Sequence, residues 1–223
     1  MREIIQQRLE RASSLVFAFY AMAGAFITYF AMYAFRKPIS AGTFDDLSVA
    51  GIDYKVIAII AQACGYALSK FVGIKVISEM QPHVRVRAIL VMIGIAWLAL
   101  LLFGSIPYPW NVAFLFLNGL PLGMVWGIVF SFLEGRRYTE LLGAGLCASF
   151  IVSSGFVKAV GRGLVYNFGV SDFWMPFLVG CIFIIPLFVG VFMLSTIPPQ
   201  TPADIEQRTK RVSMNGKDRW HFF

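Results

Sequence analysis

Charge is what this chain has least of. Of its 223 residues only 14% are charged, while 58% are hydrophobic. Soluble domains carry about a quarter charged residues, so this much apolar surface exceeds one soluble core and must meet lipid. Cysteine and histidine are equally sparse, 3 and 2 residues. Cys64, Cys147 and Cys181 fall inside apolar runs without paired spacing; a disulfide scaffold is excluded and small core residues are expected. His83 and His221 have no second His or Cys nearby, so no metal site is expected. The chain has no Gly-x-x-x-x-Gly-Lys-Ser/Thr loop and no nucleophile elbow, which argues against ATP hydrolysis, enzyme chemistry or a cofactor. With 22 Phe it is no disordered chain.

What is present is apolar run after apolar run. Six stretches reach the roughly 20 helical residues needed to cross about 30 Å of hydrocarbon: Leu15–Phe35, Val56–Ile77, Ala88–Ile106, Asn111–Leu133, Leu141–Val160 and Phe173–Ile197. Lipid offers no partner to backbone N–H and C=O groups, so these are expected to be helices, and the fold class all-α and polytopic. The organisation expected is an N-terminal segment 1–14 with a short interfacial helix, a six-helix bundle 15–197, and a linker or tail 198–223. Gly161-Arg162-Gly163 is expected to break the fifth span.

The net charge of +7 raises nucleic acid as a partner, but the cations lie between the apolar runs and are better read as orientation signals. Thirteen fall on one side: Arg2, Arg8, Arg11, Lys75, Arg85, Arg87, Arg136 and Arg137, with the remaining five in the tail. Arg36, Lys37, Lys55, Lys158 and Arg162 fall on the other. The excess predicts both termini in the cytoplasm of a cell (inner) membrane.

Polar groups inside the spans are unevenly shared. The third and sixth spans are plain. In the first, Tyr29, Tyr33, Arg36 and Ser40 share a face if the helix continues past Phe35. If it ends there, Arg36-Lys37 is an interfacial anchor. In the second, Gln62, Tyr66, Ser69, Lys70 and Gly73 recur at helical spacing. Lys70 lies about 21 Å along the helix from Val56, where a cation costs roughly 2.5–3.5 kcal/mol on insertion scales and tends to face a cavity or a partner. In the fifth, Ser154, Lys158 and Arg162 follow one stripe; Lys158 is either a cavity residue or an outer anchor. The fourth presents Asn118, Gly119, Pro121, Gly123, Trp126 and Gly127, a kinkable, small-residue face suited to packing. All twelve acidic residues lie outside the spans or at their ends. A cavity holding cations alone attracts an anion, and the guanidinium fork suits planar or tetrahedral oxyanions.

Six helices followed by a basic linker, with cavity-type residues on the first, second, fourth and fifth, resemble half of a twelve-helix major facilitator superfamily carrier, built as a 3+3 inverted repeat. Tyr33-Ala34-Phe35-Arg36-Lys37, and Ser69-Lys70-Phe71 followed by Gly73 and Ser78-Glu79-Met80, are similar to motifs of its organophosphate:phosphate antiporter branch. The chain departs from that branch at Glu79 and Met80, and its helix-five histidine is absent where Ala148-Ser149-Phe150-Ile151-Val152-Ser153 stands; an uncharacterised subfamily is implied. The resemblance implies alternating-access transport of an organophosphate, phosphate or carboxylate. Arg36 would hold the anion, Lys70 and Lys158 would add charge, and Tyr29, Tyr33 and Tyr66 would line the site. It also implies a second six-helix half or a homodimer partner. The alternative is a non-transporting sensor or assembly subunit on the same scaffold, or an inactive truncated product.

Overall fold

Ser13 opens the first long helix by accepting a hydrogen bond from the Val16 N–H (3.4 Å), and Asp53 opens the next by accepting from Lys55 N–H (2.7 Å). Between such caps the computed structural model, which describes residues 1–136 and 138–199, contains seven α-helices. A short amphipathic α1 (Arg2–Glu10) precedes α2 (Ser14–Tyr33), α3 (Tyr54–Ser78), α4 (Arg85–Ser105), α5 (Val112–Phe130), α6 (Thr139–Phe168) and α7 (Met175–Ser195). A two-residue hairpin, β1 (Ser48–Val49) with β2 (Ile52–Asp53), lies between α2 and α3. Helices α2 to α7 are each long and apolar enough to cross a membrane, and the chain is an all-α polytopic membrane protein. Most of the expected linker lies outside the described residues.

The helices pack in a repeating scheme. Helix α5 lies against α3 and α4, and α2 lies against α6 and α7. Weaker contacts join α2 to α5 and α4 to α7. Exchanging α2 with α5, α3 with α6 and α4 with α7 carries α3–α5 and α4–α5 onto α2–α6 and α2–α7 and leaves α2–α5 and α4–α7 in place, as two three-helix repeats would, while the contact between α6 and α7 is stronger than that between α3 and α4. Close approach rests on small residues. A Cβ on Gly65 would sit 2.1 Å from Phe116 O, and one on Gly119 would sit 2.3 Å from Gln62 O, so α3 and α5 touch backbone to backbone. On the other side Gly190 of α7 meets the Thr28 backbone of α2 in the same way.

Two polar hubs, one buried and one half-buried, join the layers. Asn118 accepts from Gln62 Nε2 (2.7 Å) and donates to the carbonyls of Phe35 (3.0 Å) and Ala96 (2.8 Å), linking α5 to α3, to the end of α2 and to α4. Near the hairpin, Asp172 Oδ2 accepts from Thr43 N (2.8 Å), Thr43 Oγ1 (2.9 Å) and Phe44 N (2.9 Å). That binds the α6–α7 connection to the segment after α2, where Phe44 packs against Tyr54, Phe103 and Phe173.

Two expectations are corrected. Helix α6 runs through Gly161-Arg162-Gly163 and ends only at Gly169, whose left-handed φ of 65° closes it. Gly161 does not break the helix, because it is a contact point: a Cβ there would meet Met175 Sδ at 2.8 Å. Cys64 and Cys147 are exposed rather than core; an apolar thiol is at home facing lipid.

Candidate functional site

Helix α2 stops at Tyr33 and does not carry Arg36 and Ser40 on one continuous face. Its end tightens into i to i+3 bonds, with Phe35 N–H donating to Met32 O (3.0 Å) and Arg36 N–H to Tyr33 O (3.1 Å). Pro38 has no N–H to continue the ladder, and a 3₁₀ turn follows over Lys37–Ala41. Ser40 Oγ donates to Lys37 O (2.8 Å) and so serves that turn. Phe35 is fully buried and its carbonyl is held by Asn118, so the backbone that projects Arg36 is fixed.

From there Arg36 crosses to α3. Its Cζ lies 3.7 Å from the centroid of the Tyr66 ring, and Lys70 Nζ lies 5.1 Å from the same centroid. Tyr66 and Lys70 are one helical turn apart, which puts both on one face of α3. Cation–π contacts of this kind are worth about 0.5–1 kcal/mol when exposed and about 2 when dry. Among the described residues, neither Arg36 nor Lys70 has a carboxylate or a side-chain hydrogen-bond partner. Stacking occupies the face of the guanidinium and leaves its N–H edge available to an oxyanion. The other polar residues of α3 turn away: Gln62, Ser69 and Gly73 are buried, Gln62 on Asn118, with Ser69 facing Gly123 and Gly73 facing Met124 of α5.

Tyr29 and Tyr33 do share a face, with ring centroids 5.5 Å apart, but they are 2% and 8% exposed. Both pack on Phe150 of α6, each with ring centroids 6.4 Å apart. Tyr29 is within electrostatic reach of Tyr66, Tyr33 and Arg36. These two tyrosines therefore back the site rather than line an opening. Lys158 is half-buried and lies within electrostatic range of Lys37, as does Arg36. Burial first, then these two cations, hold the Lys37 ammonium below its ordinary pKa. Lys37, which the sequence presented as half of an anchor pair and as the last residue of the Tyr33–Lys37 motif, joins the group. Asn118 and Phe150 lay in the sequence as a polar residue in a small-residue face and as the residue near a missing histidine; nothing local shows that the first holds the Arg36 turn and the second the tyrosine pair.

Lys70 also lines a cavity of about 1470 Å³ between α3, α4 and α5, which extends to Arg2 and Pro198. Of the Arg36–Tyr66–Lys70 group, Lys70 is the member that lines this space.

Residues 38–223 match the family described as a family of unknown function (DUF5690), and the chain belongs to it. No curated protein and no solved structure matches the chain.

Proposed function

We propose that this DUF5690 member is the transport-type half of a secondary carrier, built like six helices of a major facilitator bundle, that moves a small anion by alternating access. The observation carrying this reading is the convergence of Arg36 and Lys70 on Tyr66 without a neutralising carboxylate among the described residues. A cation pair that is unneutralised inside a bundle of spanning helices attracts an anion, and the free fork edge of Arg36 selects an oxyanion such as phosphate, an organophosphate or a carboxylate. Lys37 and Lys158 raise the local potential. The exchange symmetry of helix packing supports a 3+3 repeat, the architecture whose repeats rock about a midplane site. In this reading the termini face the cytoplasm of a cell (inner) membrane, and a second six-helix unit, from a longer chain or another copy, completes the path.

The test is counterflow in liposomes with labelled phosphate, organophosphates and dicarboxylates. Uptake by the parent and its loss in Arg36→Lys support the reading, because lysine keeps the charge and loses the fork. Equal transport by Arg36→Lys removes Arg36 from the role. Anion-dependent thermal stabilisation without flux would mark a sensor on the same scaffold instead.

A further inference from the structure

The cavity that Lys70 reaches has a chemistry of its own at its mouth. The ends of α3, α4, α5 and α7 all come to its rim, at Ser78, Arg85, the Phe130–Ser131 junction and Ser195. Where spanning helices end, hydrocarbon gives way to lipid headgroups. Four arginines stand at this level, Arg2, Arg85, Arg87 and Arg136, with His83 beside them. Among the described residues the carboxylate that lines the same space is Glu134 alone. Lys70 lies eight residues before the end of α3, about 12 Å deeper.

Main-chain carbonyls position three of these heads. Arg2 Nε donates to Ser195 O (2.8 Å), Arg85 Nη1 to Ser131 O (2.9 Å) and Arg136 Nη2 to Pro198 O (2.6 Å). The rings of Phe132 and Phe17 lie under Arg85 and Arg136, at 5.9 and 4.8 Å. These contacts preorganise the heads, and four guanidiniums against one carboxylate among the described lining residues leave the rim net cationic. Below it the wall turns apolar, through Phe71, Ile74, Leu90 and Trp126.

We propose that this rim is a second anion site, which binds a phosphate group attached to an apolar or small organic body. Several guanidinium forks around one space match a tetrahedral anion with several acceptor oxygens better than a single carboxylate. The depth and the apolar wall match an anionic phospholipid; a soluble phosphoester offers the same phosphate. The site is separate from Arg36 and stands whether or not the chain transports.

The purified, delipidated chain in neutral detergent would be titrated in two arms. One uses a short-chain anionic phospholipid against short-chain phosphatidylcholine, the other inorganic phosphate and glycerol phosphate. Thermal stabilisation is the readout, with native mass spectrometry counting retained lipid. Saturable stabilisation in either arm that persists in an Arg36→Gln background supports the site and identifies its source. Arg87→Gln, at an exposed position in the first turn of α4, is expected to weaken it about fivefold, the effect of one cation near a charged surface. Arg87→Lys restores most of that loss. The Arg36→Gln background removes the anion contact of the transport reading, so stabilisation that persists in it, and that Arg87→Gln weakens there, belongs to the rim. Lys55→Gln, at the opposite end of α3, is the control for diffuse charge. The proposal is overturned if neither arm exceeds the phosphatidylcholine baseline, or if Lys55→Gln weakens binding as much as Arg87→Gln.

Discussion

The guanidinium of Arg36 lies flat enough over Tyr66 for its Cζ to come within 3.7 Å of the ring centroid. The ring holds the face of the cation and leaves its edge free, so ring and hydroxyl can be tested apart. Tyr66→Phe keeps the seat, and anion-dependent stabilisation is expected within about twofold of the parent. Tyr66→Leu removes the seat and is expected to weaken it roughly 2- to 30-fold, the equivalent of about 0.5–2 kcal/mol. Thermal-shift titration with inorganic phosphate and glycerol phosphate reads both. A Tyr66→Leu variant that binds like the parent would show that the stacking has no bearing on recognition.

The α3–α5 contact sets where Tyr66 and Lys70 stand. A methyl at Gly65 would overlap Phe116 O, at 2.1 Å, so Gly65→Ala must push the helices apart, at a cost of about 1–3 kcal/mol. Gly155 on α6 has nothing within 4 Å of its would-be Cβ. There Gly155→Ala is expected to be neutral or stabilising by up to about 1 kcal/mol through helix propensity. Melting of the two variants in the same detergent compares them directly; equal behaviour would mean the helices do not touch as closely as the backbone distances require.

How much of this was legible beforehand depends on whether a feature is local. The spans were, because about 20 apolar residues is a length condition each segment meets alone; the six helices fall within a few residues of expectation except at the end of α6. That exception arose because Gly161 and Gly163 look alike in sequence as breakers, whereas Gly161 is shaped by Met175 on another helix. The spacing of Tyr66 and Lys70 was legible as one face. That Arg36 would meet them was not, since it depends on a turn that Pro38 forces and Asn118 clasps. Tyr29 and Tyr33 were correctly placed on one face, but their burial against Phe150 is a tertiary fact with no sequence signal.

Asn118 deserves its own test because its partners include two backbone carbonyls that no substitution elsewhere can remove. Asn118→Leu removes the bonds to the Gln62 amide and to the Phe35 and Ala96 carbonyls. At about 0.6–1.7 kcal/mol for each hydrogen bond within a membrane protein, the loss is expected to be roughly 2–5 kcal/mol. Gln62→Leu alone strands one acceptor, and the double variant should cost less than the two single losses added, because the pair is removed together. Additive losses in that cycle would mean the Gln62–Asn118 bond carries no coupling.

Lys37 makes the site pH-dependent in a definite direction. Its ordinary pKa is 10.5, and burial, then Arg36 and Lys158, lower it in the fold. The native state therefore sheds this proton before the unfolded chain does. Between the lowered value and 10.5 the unfolded state binds more protons, so this residue makes stability rise with pH across that window; below it, the charged form weighs against the fold in full. Lys37→Gln should raise the melting temperature at neutral pH and flatten the alkaline rise relative to the parent. An anion seated near Arg36 opposes the same repulsion and pulls the Lys37 pKa back up, so binding takes up protons and affinity falls as pH climbs through the window. Melting curves of parent and Lys37→Gln across alkaline pH, with and without the anion, give both slopes. If they coincide in the absence of anion, Lys37 is not crowded by its neighbouring cations. If they differ there but the anion leaves the parent's slope unchanged, the anion binds beyond the reach of Lys37.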